Sequence, residues 1–356
     1  MTGKSNPNIR DIAAAAQCSP ATVSMALRNL PSVSKFTRDR IAAIATKMGY
    51  RRDPVTGLLM SRRRAGQSSR GKVSITFLSG LPPGFAEHQN PARFLSGVKA
   101  HSEFLGFGFN ECSWPEYKGN IVRLRTTLRA NNTCAIIFHD IHNLEAFRDL
   151  PLDNFACGSV GRHTIHPQLS YASADHYQIM RLALQRLRSL GYQRIGLILS
   201  RLINTTTDGK YLAAYYLDSH EQTAQPEIPA FLTEVPSCAK SMEMPANFAL
   251  WVKKNRVDVV LSACHFAREW LQQCKLRIPT DIGYAVLDID SHDVGAGVLQ
   301  PNQQVGAAAV DIVVGQMNRG ERGATPWPKI VHIQSDWHDG DSAPGILARD
   351  GAEADG

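Results

Sequence analysis

A few short stretches carry residues whose types and spacing suggest chemistry. Ser19-Pro20-Ala21-Thr22-Val23-Ser24-Met25, running on to Arg28, offers hydroxyls, small apolar groups and a guanidinium along one helix length. Such a surface suits a DNA major groove, where hydroxyls and cations meet phosphates and small side chains let the backbone come close to the bases. Arg62-Arg63-Arg64 concentrates cations for phosphates or a narrow groove, or forms a solvated linker. His139-Asp140-Ile141-His142 pairs two imidazoles, but at a strand end with no third ligand, so surface residues rather than a metal site are expected. Cys264-His265 sets a thiol beside an imidazole, yet side chains adjacent in sequence rarely form a reactive pair and nothing completes a triad. The chain has no P-loop, G-x-G-x-x-G or G-x-S-x-G pattern. No catalytic residue, cofactor or metal is therefore assigned, and an enzyme of α/β fold stands only as a remote alternative.

The elements that must hold these residues begin with three helices. Asn8 caps the first, with Asp11 in a capping-box-like position and Ile9, Ile12, Ala13 and Ala16 on one face. Ser19-Pro20 is a cap followed by proline at the first helical position, where its missing N–H costs nothing. Val23, Ala26 and Leu27 then point inward, and Ala21, Thr22, Ser24, Met25 and Arg28 outward. A third helix is expected from Ser34 to Met48, with Ile41, Ile44, Ala45 and Met48 inward and Gly49 after its end. Two short helices across a tight turn, backed by a third, read as a helix-turn-helix, and equally as a plain three-helix bundle with a solvated face.

Charge sharpens the choice. The chain has 356 residues and a formal net charge of +7. Residues 1–72 carry 14 Lys/Arg against Asp11, Asp39 and Asp53, a net of +11, so the remainder is at −4. A basic head on a mildly acidic body suggests a polyanion-binding module joined to something else. No apolar run reaches the length of a membrane span and the N-terminus lacks the apolar core of a signal peptide, so no membrane partner and a cytoplasmic protein are expected. Seven scattered cysteines with no C-x-x-C read as small buried thiols of a reducing compartment.

From Val73 the pattern changes to strands alternating with helices up to Ile330–Gln334, which predicts an α/β body with parallel sheets flanked by helices. Ligands of such sheets bind beyond the carboxyl ends of the strands.

IRDIAAAAQCSPATVSMALRN, then VSKFTRDRIAAIATKMGYRRDP, resembles the head of the LacI–GalR family of bacterial transcription regulators. The resemblance covers roughly fifty residues in this region and implies a homodimer placing two recognition helices on a pseudo-palindromic, double-stranded operator. It implies Thr22 and Ser24 on phosphates, Val23 in the core, and Pro20, Ala21 and Met25 at base-reading positions, with Ser19 and Arg28 completing the set. Many members have arginine where Met25 stands, so readout here is expected to be richer in apolar contact, for example with thymine methyls. Asp53-Pro54 opens a segment that resembles the family's hinge helix; Leu59 matches its minor-groove wedge, with Thr56 and Arg62 beside it.

Thinner similarity continues in Asn90-Pro91, Ser173-Ala174-Asp175, Leu190-Gly191-Tyr192, Leu276-Arg277-Ile278-Pro279 and Gln300-Pro301. It implies a two-lobed body like periplasmic sugar-binding proteins, with a dimer forming through it. The domains expected are a head at 1–52, a hinge and linker at 53–71, a body at 72–342 and a tail at 343–356. Within the body, lobe 1 is expected at 72–172 and 290–318, and lobe 2 at 173–289 and 319–342. At the family's effector site the pattern departs: Ala263-Cys264-His265 replaces the Asn-Asp helix start, and Tyr211, with Lys210 beside it, aligns with the usual arginine. The candidate effector residues are Asn90, Asp175, Lys210, His265, Asp288 and Gln300, and the implied partner is a sugar-like small molecule of unspecified identity. Asp175 and Asp288 read equally as a helix cap and a loop turn. The resulting expectation is a dimeric operator-binding regulator, a repressor, modulated by an effector between the lobes. The alternative is a regulator whose cleft has lost ligand binding.

Overall fold

The computed structural model describes residues 9–27, 33–48, 73–82, 89–141, 147–161, 168–222, 226–234, 243–264, 266–289 and 295–346. In the head, α1 (Ile9–Ala15), α2 (Pro20–Leu27) and α3 (Lys35–Lys47) form where the spacing predicts. Ser19 Oγ accepts from the Thr22 amide at 3.0 Å, and Ser34 Oγ from the Thr37 amide at 3.2 Å. Each cap satisfies a first-turn N–H that has no partner within its helix. Ile12, Ala13, Ala16, Val23, Ala26, Val33, Ile41 and Ala45 close a small core. Arg40 donates to the Ala16 carbonyl at 3.1 Å and Arg38 to that of Val33 at 2.7 Å, so these cations brace the head as well as charging it. Gly49 lies outside the described residues.

The first lobe is built from β1 (Ser74–Ser79), α4 (Gln89–Phe104), β2 (Gly108–Ser113), α5 (Ile121–Ala130), β3 (Thr133–His139), β4 (Ala156–Val160) and β5 (Ser170–Ala174). The second takes α6 (His176–Ser189), β6 (Ile195–Ser200), α7 (Arg201–Thr206), α8 (Lys210–Glu221), β7 (Phe231–Thr233), α9 (Phe248–Asn255), β8 (Val259–Ser262), α10 (Ala267–Gln273), β9 (Gly283–Val286) and β10 (Ala296–Leu299). The chain then returns through α11 (Asn302–Arg319) and β11 (Ile330–Ile333) to the first lobe and ends its regular structure in β12 (Asp336–His338), in the second. The sheet orders are β11-β5-β4-β3-β1-β2 and β12-β10-β9-β8-β6-β7. Every described pairing is parallel except β10 with β12. β1, β4, β5 and β6 are buried along their whole length, as expected of strands covered by helices on both faces.

This topology moves two of the expected lobe boundaries. Crossings near 172, 289 and 319 fitted the family pattern, but β10 pairs with β9 in the second sheet, and β11 pairs with β5 in the first. The chain therefore crosses after Ala174, between β10 and α11, and between β11 and β12. The cause is pairing partners far apart in sequence, which short strands do not advertise locally.

α11 packs across β3, β4 and β5 and against α4. The helices approach closely because Gly97 and Gly306 face each other's backbones: a Cβ at Gly97 would overlap the Gln303 carbonyl, and one at Gly306 the Phe94 carbonyl. In the second lobe, Ile179, Met180, Ala183, Leu184 and Leu187 form the buried face of α6. Asp218 of α8 is buried and accepts from Arg188 Nη2 at 2.6 Å and Nε at 3.0 Å, which locks α8 onto α6.

Beyond β12 the chain straps the starts of β9 and β10 in the second lobe. Ser342 Oγ donates to the Tyr284 carbonyl at 2.6 Å and accepts from the Ala296 amide at 2.8 Å, while the Ile346 amide donates to the Leu190 carbonyl at 2.9 Å. Ala343 is buried in the lobe's core and Ile346 packs against it, so the ordered body runs past the expected limit at 342. Ser342→Ala leaves a buried N–H and a buried C=O without this partner and is expected to cost about 1–3 kcal/mol, read as a shift in denaturation midpoint.

Candidate DNA-binding and effector sites

On the head, Pro20 and Ala21 of α2 are exposed to solvent. Thr22 and Ser24 are half-buried, and the Thr22 hydroxyl lies 2.9 Å from Ser19 Oγ. Met25 departs from the outward position expected of it: it is half-buried and packs against the head's core beside Val23 and Ala26. Only part of its thioether side chain is therefore presented outward. Arg28, Thr56, Leu59 and Arg62 lie outside the described residues.

In the body, the end of β5 and the starts of α6 and α8 bring several polar groups together. Asp175 caps α6, its carboxylate accepting from the Gln178 amide at 3.2 Å. His176 follows as the first helical residue, edge-on to the Tyr211 ring at 5.2 Å. Burial, then the charges of Lys210 and His332, hold the His176 imidazole down to about 4, so it is neutral at pH 7, although Asp175 pulls the other way. Lys210 begins α8 after Gly209, whose positive φ of 68° sets the turn into the helix. Tyr211 is buried at 3 % exposure, and burial, then the Asp288 charge, raises its phenol far above the ordinary range.

Gln300 links this cluster to the crossing into α11. Its amide nitrogen donates to the Tyr211 hydroxyl at 3.2 Å and to the Leu287 carbonyl at 2.8 Å. Gln300 is itself buried, which makes it a strut behind Tyr211. Asn302 donates to Asp288 at 3.4 Å, and Arg93 of the first lobe reaches the Ile289 carbonyl of the second, also at 3.4 Å. The structure thus brings Asp175, Lys210, Asp288 and Gln300 into one neighbourhood. His265 and the Asn90 side chain lie outside the described residues.

His139 is not the surface residue expected from its sequence neighbours. It is buried at the carboxyl end of β3, 3.2 Å from Ser79 Oγ at the end of β1, and stacks on Phe77 at 5.3 Å and near Phe94 at 5.8 Å. His142 lies outside the described residues. Among those residues no group of three or more His, Cys, Asp or Glu is arranged to hold a metal ion. Cys264 is buried, and burial pushes its thiol up to about 12, the reverse of a nucleophile's requirement. Cys112, Cys157 and Cys264 are buried thiols as expected, whereas Cys18, Cys134 and Cys274 are partly exposed. No described helix is long and apolar enough to cross a membrane. Sequence reasoning missed His176, Asn302, His332 and the Ser79–His139 pair, none of which carries a periodicity or spacing signal.

A helix-turn-helix head joined to two parallel-sheet lobes defines a DNA-binding transcription regulator. Residues 8–53, the head, match the family model for bacterial regulatory proteins, lacI family. No curated protein matches the chain. Among solved structures it is similar to a transcriptional regulator CelR–cellobiose complex, at 18 % identity and TM-score 0.56, covering 94 % of this chain and 99 % of that one. It is also similar to a Lac repressor dimer bound to operator and the anti-inducer ONPF, at 17 % identity and TM-score 0.55, over 96 % and 100 % of the two chains. For the regulator CcpA of Lactococcus lactis the values are 13 % and 0.56, over 76 % and 100 %. At these identities the likeness concerns the fold.

Proposed function

We propose that this regulator binds a pseudo-palindromic operator as a homodimer, represses transcription from it in the cytoplasm, and responds to a small molecule held between its lobes. It has no catalytic role in this reading. The observation that carries it is the lacI-type head, with the start of α2 exposed, on a body of two lobes joined by three crossings. In the head, Ser19, Thr22 and Ser24 meet phosphates while Pro20, Ala21 and the outward part of Met25 face bases; Arg28, Thr56, Leu59 and Arg62 extend the contact through the stem. In the body, Asp175, Lys210 and Asp288 line the effector site and Gln300 positions Tyr211 behind them; Asn90 and His265 are assigned to the same ligand. The solved relatives described as bound to operator and to a sugar support this assignment by analogy. An effector acts by favouring one arrangement of the lobes, and so of the two heads.

Operator selection on the purified protein at two salt concentrations tests the reading. Two half-sites in inverted repeat with a steep salt dependence are expected; sequence-independent binding would refute it. Met25→Ala is expected to change the preferred base at one position of each half-site, at a cost of about 1–3 kcal/mol there. An unchanged operator would remove Met25 from the readout. The second reading, a cleft without a ligand, is favoured by the Gln300–Tyr211 hydrogen bond, which ties two polar groups of the candidate site to each other. It predicts that no small molecule shifts either the melting temperature or operator affinity.

A further inference from the structure

The charged groups around the junction of the two lobes are unevenly distributed. At one end, Lys210 and His332 lie near enough to His176 for their charges to act on its imidazole, with His332 on β11 of the first sheet and the other two at the helix starts of the second lobe, where His176 meets the ring of Tyr211, the residue after Lys210, at 5.2 Å. His332 is fixed by Ser173, whose hydroxyl lies 3.1 Å from its Nδ1. The nearby Asp175 carboxylate is turned to the Gln178 amide as a cap. Among the described residues Lys210 has no carboxylate partner, and α8 begins at Gly209 with no side-chain cap on its first amides. The other end is hydrogen-bonding and acidic, with Asp288 beside Asn302 and the Tyr211 hydroxyl.

Building on the effector reading above, we infer that the cleft recognises an anionic carbohydrate, its carboxylate or phosphate held by Lys210, His176 and His332 and its hydroxyls by Asp288 and Asn302. A neutral sugar leaves Lys210 uncompensated, whereas a single negative group satisfies it and meets the positive ends of α6 and α8. The anion also touches both lobes at once, because His332 belongs to one sheet and Lys210 and His176 to the other. Its binding energy therefore goes directly into fixing how the lobes sit relative to each other, which is what an effector must do to shift a two-state equilibrium. His176 gives a local reporter: burial, and after it the charges of Lys210 and His332, hold the imidazole neutral, and an anion opposes those charges, so its titration moves upward on binding.

The test is calorimetric titration of the full chain with glucose and galactose, their aldonates gluconate and galactonate, their 6-phosphates, and inorganic phosphate. Imidazole resonances of His176 are followed in parallel. One anionic series is expected to bind at least tenfold tighter than its neutral sugar, with the His176 titration raised. The aldonate and 6-phosphate arms show whether carboxylate or phosphate is read. Lys210→Met and His332→Gln are each expected to lower anion binding about tenfold or more. Neutral sugars binding as well as their acids would overturn the anion inference while leaving the effector site standing. Failure of the whole series, neutral and charged, would overturn both. Binding that Lys210→Met leaves intact in a variant with unchanged melting temperature would also overturn the anion site.

Discussion

Ala21→Glu is expected to weaken operator binding about a hundredfold or more, a substantial part of the roughly 10³-fold or larger gap between specific and non-specific association. Ala21 is exposed in the first turn of α2, so its replacement displaces nothing in the core. Glutamate is a good helix former, and an acid in a first turn is favoured by the helix dipole, so the head should fold as well or better. The loss comes from outside the protein: a carboxylate placed among phosphates and base acceptors repels the duplex and finds few donors there. Ala21→Gln separates charge from bulk. A fluorescence anisotropy titration showing Ala21→Glu within threefold of wild type would mean that α2 does not enter the groove.

Trp270→Ala is the second large effect, and it acts on the body. Trp270 is fully buried on α10, with ring centroids 4.7 Å from Phe266, 5.3 Å from Phe248 and 6.2 Å from Phe231. These aromatics join helices and strands that carry the carboxyl ends of β8 and β9, and so Asp288. Removing the indole is expected to cost about 3–5 kcal/mol, because the rings around it are held by other contacts and collapse only partly into the space. Urea denaturation of the full chain reads this directly. The head has a separate core, so its helical signal should outlast the early loss of the second lobe.

Much of this architecture was legible in the residues. Capped, amphipathic α2 and α3 carry their own punctuation, and apolar runs such as Ile195–Ser200 admit little but a buried strand. Other elements do not announce themselves. β5 is Ser-Tyr-Ala-Ser-Ala, whose small residues have weak strand preference and are extended because neighbours cover both faces. β10 and β12 are four and three residues long, below the length at which alternation can be read. Their assignment to the second sheet, and so the lobe boundaries, depends on partners that only the folded chain supplies. The effector neighbourhood was half legible. Asp175, Lys210, Asp288 and Gln300 came from resemblance, but His176 and His332 meet only across a tertiary junction. His139 was misjudged because Asp140 and His142 suggested a wet loop, whereas Ser79 and two phenylalanines enclose it.

The interleaving of the lobes has a consequence for how the molecule can be made and taken apart. β5 finds its outer partner about 160 positions later, in β11, and Tyr284 and Ala296 rely on Ser342. Neither lobe therefore corresponds to a continuous piece of gene. A nascent chain can complete its head early, but it must hold two unfinished sheets until the final crossings emerge, so body folding is a late, long-range and slow event. A fragment ending before residue 330 leaves the first sheet open at one edge and the second without its strap. Limited proteolysis should accordingly release the head as a survivor but no single lobe, and dissection of this regulator into sensing halves would have to begin from a circular permutant.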